Sequence, residues 1–246
     1  DFESADDGSG GGCWLVVQRV RRARAAGLEA YGIVDRDILL DSQLPDELRW
    51  QTDDDQLRAD LRVHPEFGGH IHVLRRWEIE NYLLHPDALA HLISNKTMAP
   101  KPPAEDIARA LISHEADLIV VTLLSTLSVT QGLSSANIGF GSHLPGGLAL
   151  ADAVMKKLTC SQQGFDDHRR RVEAFAEQES APLARWDKLS RMLDGKRVFS
   201  RIGRHVLPGL EGVDMLKERG TLADIIGNQK LVDPELTTFF DSLVEF

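Results

Sequence analysis

One stretch narrows the fold more than any other in this chain. The run Gly8-Ser9-Gly10-Gly11-Gly12 is followed by a segment, Cys13 to Ala26, in which Leu15, Val16, Val20 and Ala23 recur at helical spacing. Arg19, Arg21, Arg22 and Arg24 supply its polar surface, and Gly27 is a stop signal. Then comes a short run with β-favouring residues, Ala30-Tyr31-Gly32-Ile33-Val34, which closes on Asp35-Arg36-Asp37. A glycine turn, a helix, a glycine and a buried-type strand make part of an α/β unit. Acidic residues just past the end of such a strand sit where open α/β sheets place their sites.

A second strand is expected at Ile71-His72-Val73-Leu74, followed by Arg75-Arg76-Trp77-Glu78-Ile79-Glu80. Residues 41–69 between the two strands read as irregular and acidic. A short helix is expected to open near Asn81 and run to Leu84, and another to begin at Pro86-Asp87 and reach Ile93. Ala99-Pro100-Lys101-Pro102-Pro103 is stiff and marks the expected internal boundary. It divides a core, 1–98, from a mainly helical part, 99–246. Within the latter, Ile119-Val120-Val121-Thr122 leaves helix and strand both open, and Gly132 to Gly147 reads as a loop. Helical patterns recur near 148–159, 165–179, 182–193, 195–206, 213–219, 221–227 and 233–244.

The acidic residues also come in pairs, Asp35-x-Asp37 and Glu78-x-Glu80. On an extended backbone, positions i and i+2 point to one face. Carboxylates gathered at one edge suit Mg²⁺, which takes oxygen ligands and retains several waters. Two such ions about 3.5–4 Å apart can activate a water and stabilise a leaving oxygen in phosphodiester cleavage. Charge bears on this reading. The net charge is −10, and residues 1–60 hold 14 Asp/Glu against 7 Lys/Arg. Such a balance argues against a phosphate backbone as partner, unless some carboxylates hold divalent cations that reverse the local field. Asp53-Asp54-Asp55 reads as solvated surface. Cys13 and Cys160 lie 147 positions apart and form neither a disulfide framework nor a zinc-ligand set. A reducing cytoplasm is the expectation, since no secretory pattern opens the chain and no apolar run reaches the ~18 residues of a membrane span.

Gly-Ile-Val-Asp-Arg-Asp over 32–37 and Trp-Glu-Ile-Glu-Asn-Tyr-Leu-Leu over 77–84, in this order after a glycine turn and a helix, resemble the Toprim nuclease region of overcoming-lysogenization-defect (OLD) proteins. Related Toprim-like modules attached to ATPases share the pattern. The resemblance covers about residues 1–95, with a weaker match near Lys196. It implies an α/β fold, a Toprim-like parallel-sheet core carrying a large α-helical subdomain. It further implies that Asp35 and Asp37 are metal ligands, that Glu78 and Glu80 occupy the next acidic position, and that the cofactor is Mg²⁺ or Mn²⁺, as two ions. Asp35 and Glu80 would also take part in the chemistry. Lys196, in Asp194-Gly195-Lys196-Arg197-Val198, matches a lysine that assists at the transition state, where a cation offsets growing charge. A solvated lysine at a helix start is the other reading of the same residue. The partners implied are DNA and an ATPase region upstream in the same protein, with a role in phage defence or DNA processing; a homo-oligomer is compatible and no membrane is involved. The family's first strand, ending in an essential Glu, should precede the glycine turn. Glu3, Asp6 and Asp7 stand too close to the turn to replace it, which leads us to expect a missing N-terminal segment.

Other chemistries fit less well. Haloacid-dehalogenase-type phosphotransferases also place an Asp after a strand, but they want Thr or Val after the second Asp where this chain has Ile38-Leu39. Gly195-Lys196 lacks P-loop spacing. Ser142-His143 has no nucleophile elbow. His70 and His72, like His64, His85 and His91, read as structural, and Trp14, Trp50, Trp77 and Trp186 as core. Arg197, Arg201 and Arg204 share a helical face and would track a phosphate backbone by charge. The rival class is a non-catalytic Toprim-like interaction module that supports an attached ATPase.

Overall fold

The computed structural model describes residues 12–40, 44–131 and 137–244. The run Gly8–Gly11, the acidic residues Glu3, Asp6 and Asp7, and positions 132–136 of the expected loop lie outside the described residues. The chain divides into two compact units, Asp1–Arg75 and Arg76–Phe246. The expected boundary at 99–103 is therefore corrected. That proline-rich stretch is a stiff turn inside the second unit, linking two helices that pack on each other.

In the first unit, α1 (Cys13–Ala25) leads to β1 (Gly32–Val34), as the glycine-helix-strand pattern predicts. β1 pairs in parallel with β2 (Ile71–Val73), in the register Gly32↔Ile71, Ile33↔His72 and Val34↔Val73. Parallel neighbours need a crossover, and here it contains α2 (Asp46–Arg49) and α3 (Asp54–Val63). Expecting irregular chain over 41–69 was wrong for these two helices. Asp53 caps α3 by accepting from the Asp55 and Gln56 N–H groups, which satisfies donors a helix start leaves open. Leu57 and Leu61, four apart, bury its inner face. The sheet closes tightly on α1. A Cβ on Gly32 would meet Val16 at 2.8 Å and Val20 at 3.0 Å, so only glycine permits this approach. Trp14 stacks on Phe67, with ring centroids 5.9 Å apart, and serves the core as expected.

The second unit is helical. A 3-10 turn (Ile79–Leu83) precedes α4 (Pro86–Thr97), α5 (Ala104–Ser113), α6 (Glu115–Thr130), α7 (Leu148–Leu158) and α8 (Gln162–Glu173). Next come α9 (Pro182–Leu189), α10 (Gly195–Arg201) with a π-helical turn (Ile202–Val206), α11 (Arg219–Asn228) and α12 (Pro234–Val244). Ile119–Thr122 is helical, inside α6. Ten of its sixteen residues are buried, so a face-by-face periodicity is lost and only length separates helix from strand. The expected helix at 213–219 is turn until Arg219. α6 packs against α7, α8 and α10, and α5 against α4 and α9. The whole is mostly helical with one small parallel sheet among the described residues, a mixed α/β arrangement. No single described helix is long and apolar enough to cross a membrane.

Candidate functional site

Burial alternates through Gly32, Val34, Arg36 and Ile38, which point inward, while Ile33, Asp35 and Asp37 remain half-exposed. The alternation outlasts β1, although Arg36–Leu40 closes into a 3-10 turn. Arg36 between the two acids anchors this geometry. Its guanidinium is buried and donates to Arg75 O at 3.1 Å and Gln51 O at 2.5 Å. Asp35 and Asp37 remain half-exposed, but the extended backbone on which the i, i+2 expectation rests ends at Val34, and Asp37 lies in the 3-10 turn.

A third group joins them. Cys13, the first residue of α1, places Sγ 3.6 Å from Asp37 Oδ1, toward which the thiol donates. One ligand atom from each of Cys13, Asp35 and Asp37 lies within 4.8 Å of the others. Burial, then the Asp37 charge, pushes the thiol up to about 12. On sequence alone Cys13 is read with Cys160 and not with the acidic pair, because 21 residues separate it from Asp35. The donor set fits a divalent cation. Two carboxylate oxygens suit Mg²⁺ or Mn²⁺; the sulfur does not suit Mg²⁺.

The second acidic pair sits in the helical unit and is built differently. Glu78 and Glu80 are each 8% exposed, whereas Ile79 between them is 48% exposed. Carboxylates inward and an isoleucine outward invert the usual order, and the informative observation is the buried polar group. Lys196 explains it. Its Nζ lies 2.8 Å from Glu78 Oε1 and 3.7 Å from Glu80 Oε1. Arg219 reaches Glu80 Oε1 at 2.8 Å. Burial, then the charge of Asp194, raises Glu78 to about 7 against the pull of Lys196. Burial works to lower Lys196, but its hydrogen bond to Glu78 and the charges of Glu78, Glu80 and Asp194 outweigh it, leaving the ammonium above its ordinary value. Glu78 Oε2 is buried without a hydrogen-bond partner.

Asn81 sets this geometry. Its amide donates to Ser190 O and Leu193 O, both at 2.7 Å, and so ties the 3-10 turn to the entry of α10. Gly195 fits against it, since an added Cβ would overlap Asn81 Oδ1 and reach the Asn81 backbone N at 3.3 Å. Asp194 caps α10 through Arg197 N at 3.0 Å. Lys196 is thus not a solvated helix-start lysine; it is held against two glutamates by a cap, a glycine and an asparagine. The sequence marked Asn81 only as a helix start, not as the residue that ties the turn to α10, and it did not mark Arg219.

The expected phosphate-tracking face at 197, 201 and 204 needs correction. Arg197 is 3% exposed and is spent on Asp194, Ser125 Oγ and Asn137 O. Arg201 is 1% exposed and bonds Gly141 O at 2.8 Å and Asp117 Oδ2 at 3.2 Å. These two guanidiniums hold the chain's own loop carbonyls, because α10 is buried on nearly every side. Only Arg204 of the three is exposed, at the edge of a cleft of about 390 Å³ that Ser142, Ser200 and Asp214 also line.

Among the histidines, His70 lies edge-on to Tyr31 and His85 caps α4 by accepting from Asp87 N at 3.2 Å, both structural roles. Comparisons of the chain with protein-family models, with curated proteins and with solved structures gave no match.

Proposed function

We propose that this chain is the nuclease part of an ATPase-linked, OLD-like protein, with a Toprim-like core, and that it hydrolyses DNA phosphodiester bonds with Mg²⁺ or Mn²⁺. The observation that carries the reading is the convergence of Asp35 and Asp37 just past the end of β1. When bound, divalent cations supply Lewis acidity toward the scissile phosphate and a more acidic water. Asp35 and Asp37 would hold the cation, and the buried Arg36 keeps both carboxylates on one side. Lys196, steadied by Glu78 and Glu80, offers a fixed cation of the kind that stabilises charge growing on a phosphoryl group. In this reading the partners are DNA and an upstream ATPase region, the compartment is the cytoplasm, and phage defence is the setting.

A second reading has specific support. Within their own unit, Glu78 and Glu80 are met by Lys196 and Arg219, which neutralise them without a metal. A module that keeps its fold and supports an ATPase without cutting would show such internal pairing.

Nicking of supercoiled plasmid separates the two. The proposal predicts Mn²⁺-dependent nicking that EDTA abolishes and that Asp35→Ala and Lys196→Met both lose. Equal nicking by Asp35→Ala and the unaltered chain would overturn the assignment, and no nicking by either would favour the interaction module.

A further inference from the structure

Cys13 is fixed beside Asp35 and Asp37 by packing, not by chain neighbourhood. It opens α1, the acids follow β1, and the tight seat of Gly32 on Val16 and Val20 sets the distance between α1 and β1. The three ligand atoms, all within 4.8 Å of one another, comprise two oxygens and one sulfur. A hard ion such as Mg²⁺ gains little from sulfur, whereas thiolate favours softer divalent ions such as Zn²⁺ and Cd²⁺. Cys13 is half-buried and packs against the core of the first unit, which holds its sulfur in place.

We propose that Cys13 Sγ is the third protein donor of the Asp35/Asp37 cation site and sets its preference toward thiophilic divalent cations over Mg²⁺. The inference rests on the reading of Asp35 and Asp37 as cation ligands. On binding, the Cys13 sulfur takes the cation and its proton leaves to solvent; nothing is oxidised or reduced.

The test uses Cd²⁺ as probe, with the whole 246-residue chain carrying Cys160→Ser so that one thiol remains. The thiolate-to-cadmium absorption in the ultraviolet reports sulfur ligation directly, and titration calorimetry gives affinities for Cd²⁺ and Mg²⁺. Circular dichroism checks that each variant is folded, and Cys13→Ala accompanies Cys13→Ser. The band should appear in the Cys160→Ser chain and vanish in both Cys13 variants. Cd²⁺ affinity should fall about tenfold or more while Mg²⁺ affinity changes less than about threefold. A band that survives loss of Cys13, or that never forms, overturns the proposal, as does an equal loss of affinity for both ions. Asp35→Asn separates the two levels. If it weakens Mg²⁺ binding while Cys13→Ser leaves Cd²⁺ binding intact, the cation site stands and the sulfur donor falls. If it leaves binding of both ions intact, the cation-site reading falls too.

Discussion

Lys196 Nζ sits 2.8 Å from Glu78 Oε1, across 118 positions of sequence. Glu78 is nearly buried, so the pair is not an ordinary surface bridge, and removing one partner strands the other. Lys196→Met should destabilise the helical unit by about 1–3 kcal/mol, the cost of leaving a buried polar group unpaired. Glu78→Gln added to Lys196→Met should recover part of that loss. Urea unfolding of both single variants and the double variant checks it, and strictly additive effects would mean the pair is not coupled.

The seat beneath that pair gives a second prediction. Gly195→Ala pushes a methyl group into Asn81, whose amide is already committed to Ser190 O and Leu193 O. The turn carrying Glu78 must then move, at about 1–3 kcal/mol for an overpacked site. A midpoint of urea unfolding unchanged from the parent would show that Asn81 yields freely.

The three arginines near Lys196 should separate cleanly. Arg201→Ala leaves Asp117 without its buried partner and frees the loop at Gly141, and should cost about 3 kcal/mol or more. Arg204→Ala is exposed and should stay within about 0.5 kcal/mol of the parent. If DNA is bound here by charge, Arg204→Ala also lowers the slope of log affinity against log salt by about 1. A salt slope that does not respond to Arg204→Ala would remove this residue from the DNA interface.

Acid should weaken the cap of α4. Burial lowers His85, with Asp87 opposing and Arg76 assisting, while Asp233 and Asp187 also oppose. The folded chain thus takes up this proton less readily than the unfolded chain. The contribution is present in full above the unfolded value near 6.5 and is lost as pH falls through the lower folded value. Glu78 works the other way, since its raised value makes the folded chain gain stability as pH falls from about 7. His85→Asn keeps a capping acceptor and removes only the histidine's share. Its stability relative to the parent should therefore improve between about pH 7.5 and pH 5.5. A parent and variant with parallel pH profiles would contradict this.

How much of this could be read from the residues alone differs from element to element. α1, β1 and β2 were legible because a helical period, a glycine and a β-branched run follow one another. The nearness of Asp35 and Asp37 in sequence was legible, but the 3-10 turn that carries Asp37 was not. α3 was not legible, although Asp53 and Gln56 form a capping pattern, because three consecutive acids with only Leu57 and Leu61 behind them read equally as solvated surface. The orientation of Arg197 and Arg201 was not legible at all. A helical face can be read from spacing, but whether it meets solvent or a loop such as Gly139–Leu144 depends on what packs there. Cys13 beside Asp37 and Arg219 beside Glu80 are long-range meetings that no single stretch of sequence records.

Asp35 and Asp37 are proposed above all to hold a divalent cation. Mn²⁺ binding to the whole chain, followed by loss of the free-ion electron paramagnetic resonance signal, measures this without any need for turnover. Saturable binding that weakens about tenfold or more in Asp35→Asn and in Asp37→Asn is the predicted result. Binding of equal strength in the parent and both variants, or none in the parent, would contradict it.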